Sequence, residues 1–165
     1  MDALEAIRTR RSIRRYTGDP IPRADLETIV DAGRLAASGY NAQPWEFVVV
    51  TDRALIEKIA LHDWIAQAGA MIAVVLATES YFWREDGSAA VQNMLVAATA
   101  LGYGSCWLQG RTERHIPAIK KHLNIPADKH LMTLIPLGVP AEAPEKEKKS
   151  LAEVLHWETY QDKTG

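Results

Sequence analysis

Apolar residues in this chain come in two kinds of run, helical-period stretches and short unbroken ones. Residues 2–9 predict a short helix with Ala3, Leu4 and Ile7 on one side, after which Pro20 and Pro22 punctuate the chain. From Asp25 onward Leu26, Ile29, Val30, Gly33 and Ala37 repeat at helical spacing. Residues 47–50 are short and rich in β-branched side chains, the pattern of a buried strand. Asp52 can cap a helix carrying Leu55, Ile56 and Ile59, and residues 71–77 predict a second buried strand.

Residues 86–101 predict a helix that is apolar on almost every side, so it belongs at the centre of a domain or in an interface. Gly102 and Gly104 end it, and residues 105–108 predict a third strand. Thr112 can cap a helix through Leu123, and residues 131–137 predict a fourth strand. The stretch 140–149, rich in Pro, Glu and Lys, reads as an excursion from the core, and the chain stays polar until Leu151. Helices alternating with short apolar strands predict a layered sheet with helices on both faces.

Composition narrows the function. At 165 residues with 47% hydrophobic and 24% charged side chains, the expectation is one soluble globular domain over 1–165. The net charge of −2 argues against general nucleic-acid binding, which selects an overall basic face. Cys106 is the one cysteine, so no internal disulfide can form and a reducing compartment fits. The basic N-terminus lacks a following apolar segment, and Asp2 and Glu5 are unlike an organelle transit peptide. The longest apolar run, 68–77, is about half of what a membrane helix needs. A cytoplasmic protein is expected.

Against that acidic balance, residues 8–15 read RTRRSIRR, five arginines around one hydroxyl. Arg10, Arg11, Ser12 and Arg14 supply forked cationic donors and a neutral donor, a set that suits a phosphate monoester. The other reading is a solvated basic helix end, favoured by the C-terminal dipole. Residues 38–45 read SGYNAQPW. Ser38, Asn41 and Gln43 offer donors and acceptors that suit the polar edge of a heteroaromatic ring, or else satisfy the backbone of a turn.

Taken in order, RRSIRRYTGDPIP, SGYNAQPWEFVVVTD, AAVQNMLVAATALGYGSCWLQG and LIPLGVPAE resemble the nitroreductase family of flavoproteins from Ile7 to Trp157. The resemblance implies an α+β three-layer sandwich, a central mixed sheet flanked by helices, an obligate homodimer, and FMN at the subunit interface. It implies that Arg10, Ser12 and Arg14 contact the FMN phosphate, ribityl chain and pyrimidine edge, with Arg11 in the same motif. Ser38 and Asn41 then lie on a loop that the partner subunit brings to the flavin, with Gln43 close behind. Gln109 and Gly110 match the segment whose backbone amide approaches flavin N5. Lys146 and Lys148 match basic positions that close over the phosphate, and residues 140–165 form an extension expected to contact the partner.

Three features depart from the family pattern. Lys148 stands where the family often has arginine, and Gln109 where longer members often have glutamate. Trp83 runs straight into the central helix, which leaves room for only a minimal lid.

Other tempting residues read as structural. Cys106 has no His or Asp nearby in sequence, the five histidines lack ligand spacing, and Gly102-Tyr103-Gly104 is a helix end, not a dinucleotide fingerprint. Trp45 and Trp107 read as core, whereas Trp64, Tyr81 and Trp83 are candidates for an aromatic wall beside the flavin. Gln92 and Asn93 interrupt the central helix, to satisfy buried groups or a dimer contact. The function expected from the resemblance is a nitroreductase-like oxidoreductase with FMN as cofactor and NAD(P)H as co-substrate. It passes hydride to flavin N5 and then reduces a nitroaromatic, quinone or similar acceptor by a ping-pong mechanism. No metal and no catalytic side chain is expected. A flavin carrier or sensor without turnover, or a different flavin reaction such as dehalogenation or flavin breakdown, remains open on the same scaffold.

Overall fold

The computed structural model describes residues 1–108 and 114–162. The apolar runs become strands β1 (Trp45–Val50), β2 (Ala70–Leu76), β3 (Gly104–Ser105) and β4 (His130–Gly138). They form one sheet in the order β1-β2-β4-β3. The ladders are antiparallel, and the parallel component of the expected mixed sheet is confined to an isolated bridge between Ser12 and Ser105. The third strand is shorter than expected: only Gly104 and Ser105 pair in a ladder, and Leu108 returns as a bridge to Leu134.

Strand β2 explains the layering. Alternate side chains point to opposite faces of a strand. Ala70, Ile72, Val74 and Leu76 pack with Leu26, Ile29, Met94 and Ile135, while Met71, Ala73 and Val75 pack with Ile56, Ile59, Ile119 and Leu134. Helices α2 (Arg23–Arg34) and α4 (Trp83–Ala100) cover the first face. Helices α3 (Arg53–Ile59) and α5 (Ile116–His122) cover the second. The fold is the α+β three-layer sandwich. Asp52 caps α3 as expected, its carboxylate accepting the Leu55 N–H at 2.7 Å.

Boundaries moved where local chemistry won over periodicity. Helix α2 ends at Arg34, short of Ala37. Helix α4 begins at Trp83, three residues before Asp86. It closes at Leu101, with Gly102 at φ +89°. Helix α1 (Ala3–Thr9) forms under an Asp2 cap, but it turns Ala6 inward onto α4 and leaves Leu4 and Ile7 exposed. The expected apolar side thus faces away from this chain's core. A four-residue helix α6 (Leu151–Val154) follows the tail excursion. Thr112 lies outside the described residues. No described helix is long and apolar enough to cross a membrane.

Candidate functional site

The arginine motif is extended and tied on both sides. The Ile13 N–H donates to the Ser105 carbonyl at 3.0 Å, Thr17 N–H to Val139 at 3.1 Å, and Ala141 N–H to Arg15 at 2.9 Å. The buried Tyr16 hydroxyl donates to the Ile13 carbonyl at 2.7 Å and lies 3.3 Å from that of Pro136. Gly104 permits this approach, because a Cβ there would sit 2.8 Å from the Ile13 side chain.

Extended backbone sends alternate side chains to opposite sides. Arg10, Ser12 and Arg14 all act on one point, the buried Cys106 thiol. Burial pushes that thiol up, while Arg14, the Ser12 hydroxyl and Arg10 pull it back and Glu142 adds to the rise. The thiol is a buried core group, as the sequence suggested. Among the described residues the ion pairs are Arg23–Glu27, Arg34–Asp31 and Lys129–Glu46, so neither Arg10 nor Arg14 has an acidic partner. Glu142 instead accepts the Arg14 backbone N–H at 2.5 Å.

Arg11 departs from its neighbours. Its guanidinium donates to the Arg8 and Arg10 carbonyls, both at 2.9 Å. With Arg8 it lines a cavity of about 780 Å³ that Lys146 and Lys148 also line. The tail lysines therefore do meet the N-terminal basic cluster, although on the Arg11 side and among Glu142, Glu145 and Glu147. Arg14 lines a smaller cavity, about 320 Å³, with Arg15, Tyr16 and Trp64.

Ser38, Asn41 and Gln43 form one exposed loop before β1. The Gln43 N–H donates to the Ser38 hydroxyl at 3.1 Å, and the Gln43 amide to the Asn41 carbonyl at 3.3 Å. Tyr40, Asn41 and Gln43 all have left-handed backbones, with φ of 52°, 57° and 46°. The loop is fastened to α4 where Asp86 accepts the Gly39 N–H at 2.9 Å.

One chain does not bring the two groups together. Ser105 pairs with Leu137, which pairs with Ala70, so the arginine motif sits at one end of β2. Trp45 pairs with Leu76, so the 38–43 loop sits at the other end. Helix α4 spans the same gap, from Asp86 beside the loop to Ala100 near the motif, and its 18 residues are about 27 Å long. The aromatic candidates divide likewise: Trp64 stacks on His62 by the motif, while Tyr81 and Trp83 lie by the loop. Trp45 is core and Trp107 half-buried against it. Asn93 donates to the Ala32 carbonyl at 3.0 Å. Gln109 and Gly110 lie outside the described residues. No group of His, Cys, Asp or Glu among the described residues could hold a metal.

Sequence reasoning missed Asp86 and Glu142. In the sequence Asp86 is only the first residue of the expected central helix and Glu142 one of several tail glutamates; the tertiary contacts alone set them apart.

Known proteins resemble this chain in sequence and fold. The family model described as Nitroreductase family matches residues 7–81 and 61–139. A protein of Methanothermobacter thermautotrophicus provisionally named NADH dehydrogenase/NAD(P)H nitroreductase is 38% identical over 157 residues, covering 87% of this chain and 80% of its own length. A provisionally named nitroreductase of Desulfovibrio desulfuricans, solved in complex with FMN, is 34% identical with a TM-score of 0.84, covering 98% of this chain and 99% of that one. A Bacteroides fragilis nitroreductase with bound FMN is 27% identical with a TM-score of 0.77, covering 95% and 98%. The chain belongs to the nitroreductase family.

Proposed function

We propose that this protein is a cytoplasmic, FMN-dependent NAD(P)H oxidoreductase that reduces an electron-poor acceptor, a nitroaromatic or a quinone, by a ping-pong mechanism. The observation that carries the reading is the placement of Arg10, Ser12 and Arg14 at alternate positions of an extended segment anchored on Ser105, with no ion pair to either arginine among the described residues. Two guanidinium forks and a hydroxyl match a phosphate monoester of roughly −1.5 to −2 charge, which offsets the repulsion within the motif. Among the described residues no helix start carries the glycine-rich diphosphate pattern, so FMN fits better than FAD. FMN held by these residues would supply the two-electron chemistry that links a nicotinamide to the acceptor.

The chain's own residues bind and orient. Arg10, Ser12 and Arg14 hold the phosphate end, and Lys146 and Lys148 add charge from the tail. Arg11 acts on the motif's own backbone carbonyls and supports it from behind. Gln109 and Gly110, which lie outside the described residues, are assigned by the family resemblance alone to the segment that approaches flavin N5. Ser38, Asn41 and Gln43 reach the ring edge from a second copy, because their own loop is most of an α4 length from their own arginines. Leu151, Val154, Leu155, Trp157 and Tyr160 are exposed on the tail, an apolar set that suits contact with that second copy. The whole chain is thus one domain whose extension over 140–165 completes a homodimer.

Heat release of the chromophore followed by chromatography, with steady-state NAD(P)H oxidation on nitrobenzoate and menadione, tests the reading. The chromophore should be FMN and double-reciprocal plots at several acceptor concentrations should be parallel. Mostly FAD would overturn the cofactor assignment, and intersecting plots the ping-pong mechanism.

A further inference from the structure

We propose that Tyr40 is the residue on which the electron acceptor stacks and that it sets a preference for flat aromatic acceptors. The inference rests on the reading above, in which loop 38–43 covers the flavin of a second copy. Tyr40 is 97% exposed, yet its backbone sits at φ 52°. A bulky residue in the left-handed region is an outlier that persists only where its surroundings over-determine it. Here they do. Gly39 is pressed onto α4, where a Cβ would lie 2.5 Å from the Phe82 ring, and its N–H is held by Asp86. Asp86 is 4% exposed, and its second oxygen has no partner among the described residues. Keeping a carboxylate there is costly, and the Gly39 amide is the contact it serves.

With this backbone the Tyr40 ring is presented to solvent. Behind it stands a platform: Tyr40 lies 6.3 Å from Phe82, and Phe82 meets the exposed Tyr81 edge-on at 4.9 Å. Offset and edge-to-face stacking suit aromatic acceptors, and tyrosine offers a flat apolar face at low entropy cost. Tyr40 stands between Ser38 and Asn41 in sequence, so wherever they meet the ring edge its side chain is a residue away. Asp86 acts through Gly39 and is a positioning residue.

The test uses FMN-loaded protein with p-nitrobenzoate as the aromatic acceptor and ferricyanide as the non-aromatic one. Tyr40→Ala should raise KM for p-nitrobenzoate about tenfold and lower its kcat/KM relative to ferricyanide by a similar factor. Tyr40→Phe should behave as wild type, and FMN affinity should stay within about twofold in both. Asp86→Ala should follow Tyr40→Ala in KM, whereas Asp86→Asn, which keeps an oxygen for Gly39, should not. If Asp86→Ala does not fold, the Tyr40 pair decides alone. If wild type loads FMN without turnover, the same comparison is read as the p-nitrobenzoate concentration that perturbs the flavin spectrum. An unchanged KM in Tyr40→Ala, or loss of FMN or of the dimer in its place, would overturn the stacking role while leaving the oxidoreductase reading intact. Wild-type protein that takes up no FMN would overturn both.

Discussion

At the scale of single residues, spacing identified the basic cluster but not the division of labour inside it. Arg10, Ser12 and Arg14 share a side because the segment is extended, a conformation fixed by Ser105 and Val139 and so invisible in residues 8–15 alone. Arg11 caps the carbonyls of Arg8 and Arg10 instead. Arg10→Ala should therefore weaken FMN binding more than Arg11→Ala or Lys148→Ala, by roughly 1–2 kcal/mol for a lost bidentate contact. Titration of the three apoproteins with FMN gives the order, and a larger loss for Arg11→Ala would mean that the motif turns over on binding. Tyr16 allows a separate check. Burial, then the neighbouring Cys106 and Glu142, push its hydroxyl far above the usual tyrosine value, with Arg14 opposing. The folded state thus holds the proton more tightly than the unfolded one. That stability is fully present below the unfolded value of about 10 and is lost as pH rises beyond it. Tyr16→Phe should cost about 1 kcal/mol at neutral pH through the lost hydroxyl bond, and flatten the alkaline fall. Denaturant midpoints measured from about pH 8 to about pH 11 report both.

At the scale of elements, long periodic segments were legible and their ends were not. The core of α4 and the all-apolar β2 follow from pattern alone, because a buried strand must satisfy two faces at once. The start of α4 at Trp83 and the inward turn of Ala6 in α1 depend on neighbours that sequence does not name. Short β3 is the weakest element by pattern, yet it carries the site: Gly104 and Ser105 are the surface on which the arginine motif lies. Gly104→Ala should force Ile13 away, dragging Ser12 and Arg14 with it. Stability should fall by about 1–3 kcal/mol, as overpacking does, and FMN affinity should fall with it. A variant with lowered stability but unchanged FMN affinity would show that the motif keeps its position without β3.

At the scale of the whole molecule, the two groups of candidate site residues stand at opposite ends of the sheet within one chain. Nothing in residues 10–14 or 38–43 states their separation; it follows from strand order, which puts Ser105 and Trp45 at opposite ends of β2. A helix that spans this gap, with Leu4, Ile7 and Leu101 exposed around its far end, suits packing against a second copy. In the two-fold dimer proposed above, the loop of one protomer would meet the motif of the other, and each chain would build half of two sites. Complementation follows. An Arg10→Ala homodimer lacks the phosphate contact in both sites, and an Asn41→Ala homodimer lacks the ring contact in both. A heterodimer of the two concentrates both defects in one site and leaves the other whole. After unfolding and refolding an equimolar mixture, random pairing makes half the dimers mixed, so roughly a quarter of all sites should bind FMN with wild-type affinity. Each variant refolded alone should show none. If mixing restores nothing while both variants remain dimeric, each flavin site is built within one chain, and the shared-site reading fails with it.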